Sequence, residues 1–458
     1  MMQKKMVAAL ACSALAVSSP VALATDVFHL EGIGAVSRAM GGTAVAHDVG
    51  AGGMLTNPAN LSFAPNDREA MIGFDLVTTD ITVKNKATGE SVDSDTHKNN
   101  RGPYYAPEVA YTQRLGALSF GIGAFALGGL GTEYGSGSFL SRDTGGAATG
   151  LANSSRLLVL DIPLAASYKV SDTLTIGGSI DAMWQGLNLD LLLGADQVGS
   201  LIGSGRATGS LVPALGGIPG LQGAHFSLTQ SKMLGSGVDA WGYTGRLGLA
   251  WQATPDTRFG AAYNFRSRIS DMEGDATLTA ISSVAGQIPL EGKIKIRDFQ
   301  MPAKLIIGGS HRVTPQWMVT ADVSRVFWKE VMKDIKVAFE ANAGGNLNIL
   351  LPQDYRDQTI LALGTSYVLN PEWTLRAGAR FASQALRSDT LFAVIPATPS
   401  KHLSVGFSYA VSPASRIDFA FSHALREKMS NSSLPNTSAP IEVKHAQNNA
   451  TLNYTLAF

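Results

Sequence analysis

The residues best equipped for chemistry in this 458-residue chain do not form a recognisable catalytic pattern. Its eight histidines, His47, His225, His311 and His402 among them, show no ligand spacing, and no His-Glu-x-x-His pair occurs. No Gly-x-Ser-x-Gly exposes a nucleophilic serine, and no Gly-Lys-Ser/Thr cradles phosphate. The one cysteine, Cys12, has no second thiol with which to share a metal or a disulfide. The pattern points away from an enzyme, a metal site and a cofactor. A Ser–His pair on neighbouring strands, as a barrel lipase would use, leaves no local motif and stays open as a lesser alternative.

Apolar contact is the chemistry with the most residues behind it. Leu189, Leu191, Leu192, Leu193, Val198, Leu201, Ile202, Leu211, Val212 and Leu215 crowd into one stretch. Arg246, Arg258 and Lys304 are fixed cations that can meet a carboxylate or equally line a wet interior. What either set does depends on the elements that carry it.

Those elements are strands. Trp241, Tyr243, Gly245, Leu247, Leu249 and Trp251 alternate with Gly242, Thr244, Arg246, Gly248, Ala250 and Gln252. At ~3.3 Å per residue and a tilt near 45°, the two tryptophans stand roughly 23 Å apart, about the height of an outer-membrane apolar band. The same alternation recurs to Phe458. It predicts an all-β fold, a 14-stranded antiparallel transmembrane β-barrel over 69–458. Within that count 257–275 and 316–336 are single strands, and 291–313 is one long strand bulged near Pro302.

Tight connections such as Ser171-Asp172 and Asn370-Pro371 alternate with long ones, so one rim has turns and the other loops. An even strand number leaves both barrel ends on the periplasmic side. Trp251, Trp317 and Trp373 fall at the short-turn rim, and Trp184, Trp241 and Trp328 at the long-loop rim. Arg325 has lipid-facing parity, at a depth where it costs roughly 0–1 kcal/mol. A secreted β-sandwich would bury its tryptophans instead of pairing them at strand ends.

The stretch 189–215 then lies outside the membrane, where an exposed apolar patch marks binding; a lid packed on itself is the alternative. A general porin for hydrophilic solutes would carry charges there. Net charge is zero and charged residues are 16 % of the chain, which argues against a nucleic-acid partner.

Residues 1–24 read as a cleaved signal peptide: Lys4 and Lys5, an apolar Val7–Val17, then Ala22-Leu23-Ala24. Residues 25–68 do not alternate. Their small residues (Ala39 to Ala46) and Asn57-Pro58-Ala59 predict a plug of short helices, filling a lumen that would otherwise be a wide hole.

Gly34-Ala35-Val36-Ser37-Arg38-Ala39-Met40-Gly41-Gly42, Asn57-Pro58-Ala59, Leu363-Gly364-Thr365-Ser366-Tyr367 and Trp373-Thr374-Leu375-Arg376-Ala377-Gly378 resemble the FadL family of outer-membrane channels for hydrophobic compounds. The chain is most similar to its TodX and TbuX type, associated with toluene-like hydrocarbons. That closer likeness rests on Asp26–Gly32, Asn99–Tyr104, Gly131–Ser136 and Leu187–Leu193. The resemblance implies passive uptake of a hydrophobic small molecule, a monoaromatic hydrocarbon or a long-chain fatty acid. It implies a landing groove formed by the apolar stretch with 275–291, and an inner pocket gated by Phe28 near the Asn57-Pro58-Ala59 plug. It also implies a side opening at a kinked third strand, where Gly121, Gly123, Gly128 and Gly129 make bending easiest. The expected partners are the substrate, outer-membrane lipids and lipopolysaccharide, with the barrel a monomer.

Overall fold

The computed structural model describes residues 27–95, 104–228 and 236–458. The expected signal peptide and the stretch Asn99–Pro103 lie outside the described residues.

The alternating segments form antiparallel strands. In chain order they are β1 (Arg68–Asn85), β2 (Ser91–Asp95), β3 (Tyr104–Leu115), β4 (Leu118–Gly135), β5 (Asn153–Lys169), β6 (Leu174–Gly194), β7 (Ala207–Thr208) and β8 (Leu221–Ser227). There follow β9 (Val238–Thr254), β10 (Thr257–Asn264), β11 (Arg268–Ile269), β12 (Met272–Ser282), β13 (Gly286–Arg297), β14 (Lys304–Arg312) and β15 (Trp317–Val326). The last are β16 (Asp334–Ala341), β17 (Asn346–Pro352), β18 (Gln358–Val368), β19 (Trp373–Ala382), β20 (Lys401–Ser412), β21 (Ser415–Asn431) and β22 (Ile441–Ala457). Three short α-helices accompany them: α1 (Gly34–Ala39), α2 (Ala195–Gly203) and α3 (Leu211–Gly216).

The expected fourteen strands are corrected: one sheet of 22 strands contains them all. It closes through β1–β3–β4–β5–β6–β9–β10–β14–β15–β18–β19–β20–β21–β22, and β22 pairs back with β1 from Glu69↔Ala457 to Asn85↔Ile441. The other strands belong to the long connections, which stand as sheet above the ring. Segment 257–275 divides into β10, β11 and the start of β12. Segment 291–313 is not one bulged strand: β13 and β14 are separated by 298–303, so Pro302 marks a break. Segment 316–336 divides at a 3₁₀ turn over Trp328–Glu330. These extensions alternate because they too bury one face, so period alone does not tell them from the wall.

Along the ring the outward residues are exposed and apolar, among them Ile72, Leu164, Ile180, Leu247 and Val323. Trp241, Trp251, Trp317 and Trp373 are exposed with them, and Trp184 stands beside Trp241 in register, its Nε1 donating to Asp239 Oδ2 at 2.9 Å. Arg325 donates to Thr359 Oγ1 (2.8 Å) and pairs with Asp357 (3.4 Å). Trp328 does not belong to a girdle: it is 0 % exposed.

Inside the ring lie α1 and two 3₁₀ segments, Ala51–Leu55 and Pro58–Phe63. Paired glycines make notches in the wall for them. Gly177 faces Gly248 across β6 and β9, and Asn57-Pro58-Ala59 fills the space that their side chains would take. Gly260 and Gly308 receive Val45, and Gly364 and Gly378 receive Met40 and Gly41. Polar contacts complete the seating. Asn57 accepts from Ala59 N (3.1 Å), starting the second 3₁₀ segment, and its Nδ2 donates to Val45 O (2.7 Å) and Leu249 O (3.0 Å). Asp322 accepts from Ala44 N (2.7 Å) and Val45 N (3.0 Å). Arg38, wholly buried, pairs with Asp75 at 3.0 Å and lies 3.7 Å from Glu31.

Candidate functional site

Above the ring β6 continues to Gly194 with both faces buried from Gln185 onward. Leu189, Leu191, Leu192 and Leu193 are therefore at most 7 % exposed. Val198 and Leu201 on α2 and Leu215 on α3 are buried as well, while Ile202, Leu211 and Val212 are half-buried. The exposed patch expected here is instead an internal apolar layer, roofed by its own helices. The hairpin β12–β13 comes against it because β12 pairs with β8. Leu191 and Leu192, with Phe139, Leu140, Phe392 and Val394, line a cavity with about 1160 Å³ of empty space, part of it open to solvent. At its rim Arg142 pairs with Glu90 at 2.8 Å, which holds the Glu90 carboxyl below its ordinary pKa. Burial pushes the His225 pKa down, and its Nε2 lies 2.8 Å from Ala152 O.

The layer runs without interruption into an aromatic cage. Phe28 is its centre. Its ring meets Trp328 edge-on at 5.5 Å, Phe299 at 6.2 Å and Tyr355 at 6.4 Å, and Trp328 meets Tyr355 at 6.2 Å. Phe299, Trp328 and Tyr355 come from three successive connections, between β13 and β14, β15 and β16, and β17 and β18. Of the four only Phe28 is expected at a pocket, and that through the family resemblance; the other three lie on irregular segments with no period to read. Their backbone carries a signal of its own. Among the described residues, the non-glycine positions with φ in the left-handed region are Val27 (60°), Asp298 (51°) and Asp354 (47°). Each immediately precedes a ring of the cage. Such conformations cost about 1–3 kcal/mol, most for the β-branched Val27, and persist where the surrounding structure holds them.

Below the cage a lumen cavity is lined by His29, Glu31, Leu127, Met183, Met301 and Lys304 among others. The candidate cations have partners. Arg246 is clamped between Asp161 and Asp181, each at 2.6 Å, with all three side chains at most 5 % exposed. Arg258 lies 3.6 Å over the Phe63 ring and donates to Gln252 at 2.9 Å. Lys304 borders the cavity, with Asp322 and Arg380.

The wall beside Phe28 is incomplete. The β3–β4 ladder stops at Glu108↔Phe125, next to Pro107, which has no N–H to donate. Past that point β4 breaks register with β5 between Ala126 and Gly128. Tyr104, Tyr105 and Ala106 on one side and Ala126, Gly128 and Gly129 on the other border a cavity with about 660 Å³ of empty space, reached from within by Val27 and Leu30. The N-terminal segment covers the gap. His29 bridges to Gly128, and Leu30 N donates to Leu127 O at 2.9 Å. Of the four glycines expected at a side opening, Gly128 and Gly129 border it. Gly121 and Gly123 lie in the regular ladder, where Gly121 makes room for Met54 and Leu61. Asn57, Pro58 and Ala59 are wall anchors, so the part of the plug nearest both cage and gap is 27–30.

Three comparisons agree with this geometry. The family described as "Outer membrane protein transport protein (OMPP1/FadL/TodX)" matches residues 13–458. The solved toluene transporter TodX of Pseudomonas putida is 42 % identical, with a TM-score of 0.85 over 94 % of this chain and 99 % of that one. The toluene transporter TbuX of Ralstonia pickettii is 45 % identical, with a TM-score of 0.80 over the same shares. A long-chain fatty acid transport protein of Escherichia coli is 24 % identical over 88 % of this chain and 86 % of its own length. Seated plug, apolar layer and broken third-to-fourth strand ladder thus stand on a chain that belongs to the OMPP1/FadL/TodX family of outer-membrane transport proteins.

Proposed function

We propose that this chain is a passive outer-membrane channel for small hydrophobic molecules, with monoaromatic compounds as its main substrates. The observation that carries this reading is the cage. One continuous apolar layer joins the outer cavity to a cage of three aromatic side chains whose centre is filled by a phenyl ring of the chain itself. A monoaromatic molecule has the shape of that ring. The relatives named as toluene transporters are also far more similar to this chain than the fatty acid transporter is. Arg246, the most buried candidate for a fatty acid carboxylate, already holds two carboxylates.

In this reading the molecule enters the outer layer, displaces Phe28, passes along the lumen cavity and leaves sideways between β3 and β4 into the membrane. No energy source is needed. Residues 1–24 direct export and are removed, 25–68 act as plug and 69–458 as barrel. The mature chain is a monomer among lipids and lipopolysaccharide; mass spectrometry of its N-terminus and light scattering in detergent check both points.

Uptake of labelled toluene by cells whose own channels are deleted tests the function. Expression of the chain should speed uptake, and Leu201→Asp, which places a carboxylate in a 2 % exposed apolar position, should abolish the gain. Equal uptake with and without the chain would refute it.

A further inference from the structure

The cage holds two hydrogen-bond donors that a bare hydrocarbon pocket would not need. Trp328 Nε1 and Tyr355 Oη are buried and have no hydrogen-bond partner. The residues themselves are 0 % and 3 % exposed. Burial pushes the Tyr355 hydroxyl pKa up, so it remains a protonated donor at any physiological pH. A buried donor without a partner gives up the bond that it would make to water, and native interiors seldom leave one. At position 355 phenylalanine would fill the same space with no such loss. Here two orphaned donors belong to rings 6.2 Å apart in one cage.

Two further observations mark the cage as a site and not only a core. Its central ring, Phe28, belongs to the short segment 27–30, which meets β4 at the His29–Gly128 bridge and the Leu30 N to Leu127 O hydrogen bond. The three left-handed non-glycine residues of the described chain also precede Phe28, Phe299 and Tyr355. Strain gathered at one place, around a removable ring and two unanswered donors, is the pattern of a pocket kept ready for something else.

We infer that the cage binds small aromatic molecules bearing a hydrogen-bond acceptor next to the ring, such as aryl ketones and aldehydes, which take the place of Phe28 and accept from Trp328 Nε1–H and Tyr355 Oη–H. The ring answers the aromatic walls, and the acceptor answers the donors. This rests on the reading of the protein as a channel for small hydrophobic molecules and narrows its substrate class. Toluene-like hydrocarbons enter the same cage but leave both donors unsatisfied.

The test compares acetophenone with α-methylstyrene, which has nearly the same shape but a CH₂ in place of the carbonyl oxygen. Binding to the purified full-length protein in detergent is measured by equilibrium dialysis, with empty micelles subtracted. The wild type is set beside Tyr355→Phe and Trp328→Phe, each first shown to be folded by its heat-modifiable mobility on gels. Tyr355→Phe should weaken acetophenone roughly fivefold, the worth of one net hydrogen bond, and leave α-methylstyrene within about twofold; Trp328→Phe, which also thins the wall, should weaken both ligands, and acetophenone roughly fivefold more than α-methylstyrene. Tyr355→Phe removes only an oxygen, so it stays informative if Trp328→Phe does not fold. Equal effects on both ligands, or no effect on acetophenone, would overturn the inference while leaving the channel reading in place. Failure of both ligands to bind the wild type would overturn the inference too, and with failed toluene uptake it would remove the channel reading as well.

Discussion

Gly128→Ala puts the gate under direct test. A β-carbon at Gly128 would lie 1.9 Å from Phe28 O and 2.9 Å from His29 Cα. Carbon contacts are comfortable only at about 3.5–4.0 Å, so the segment 27–30 must retreat by more than ~1 Å. Retreat breaks the Leu30 N to Leu127 O bond, worth about 0.5–1.5 kcal/mol net. It also draws Phe28 from its cage, which costs about 1.5–3 kcal/mol if the ring becomes fully exposed. Release of Val27 from its left-handed conformation returns about 1–3 kcal/mol. Taken together these terms hold the wild-type gate closed by roughly 1 kcal/mol; overpacking by the new β-carbon weighs on the closed gate alone, by about 1–3 kcal/mol, and so raises the open population about 5- to 150-fold. Conductance to small hydrophilic ions in planar bilayers and toluene uptake by cells should both rise. Gly129→Ala is the control, since its β-carbon meets Leu157 O in the wall at 2.4 Å and not the N-terminal segment. If a folded Gly128→Ala barrel conducts like wild type, or if both variants change conductance alike, the segment does not gate the gap.

Val27→Gly relieves about 1 kcal/mol of strain but removes a buried side chain worth about 1.5–3 kcal/mol, so the closed gate should loosen and initial uptake rates should rise a few-fold. Asp322→Ala orphans the N–H groups of Ala44 and Val45, at about 1–3 kcal/mol each, so proteolysis should cut the plug at 40–50 while the barrel stays folded. Arg246→Met leaves Asp161 and Asp181 buried without their cation and should destabilise the barrel by about 3–5 kcal/mol, seen as a lower thermal transition. Unchanged stability with selective loss of fatty acid binding would instead make Arg246 a ligand cation.

The ring was legible because its strands obey one rule over their whole length: an outward residue meets lipid and its neighbour does not. Trp241 to Trp251 shows it without a break. The rule fails where the environment stops being a membrane. β13 and β14 merged into a single expected strand because both alternate, and the irregular 298–303 between them is short. Trp328 falls at the long-loop rim when 316–336 is read as one strand, yet the 3₁₀ turn at Trp328–Glu330 ends that strand and carries the ring inside. The leucines of 189–193 stand out by composition as an apolar patch, but their burial depends on β8, a separate strand that pairs with β6 over Asp190–Gly194. Asn57-Pro58-Ala59 was visible as a motif. Its seat on Gly177 and Gly248 was not, since nothing local connects residue 57 with either glycine. The cage was least legible of all, assembled from position 28 on the N-terminal segment and positions 299, 328 and 355 on three separate connections.

The seating of α1 has a consequence for assembly. Ala35 N donates to Asn453 Oδ1 at 2.6 Å across 418 residues of chain, and Gly34 N donates to Glu108, which Asn453 also joins at 2.6 Å. Those contacts span β3 and β22, the strands on either side of β1, so they cross the seam where the cylinder closes. The earliest described helix and the last strand therefore find their native partners in one event. Contacts so distant along the chain are slow to form, because loop-closure entropy is spent before anything is gained. Plug insertion and closure should accordingly be a single late kinetic phase, with α1 acting as a template on which the two edges meet.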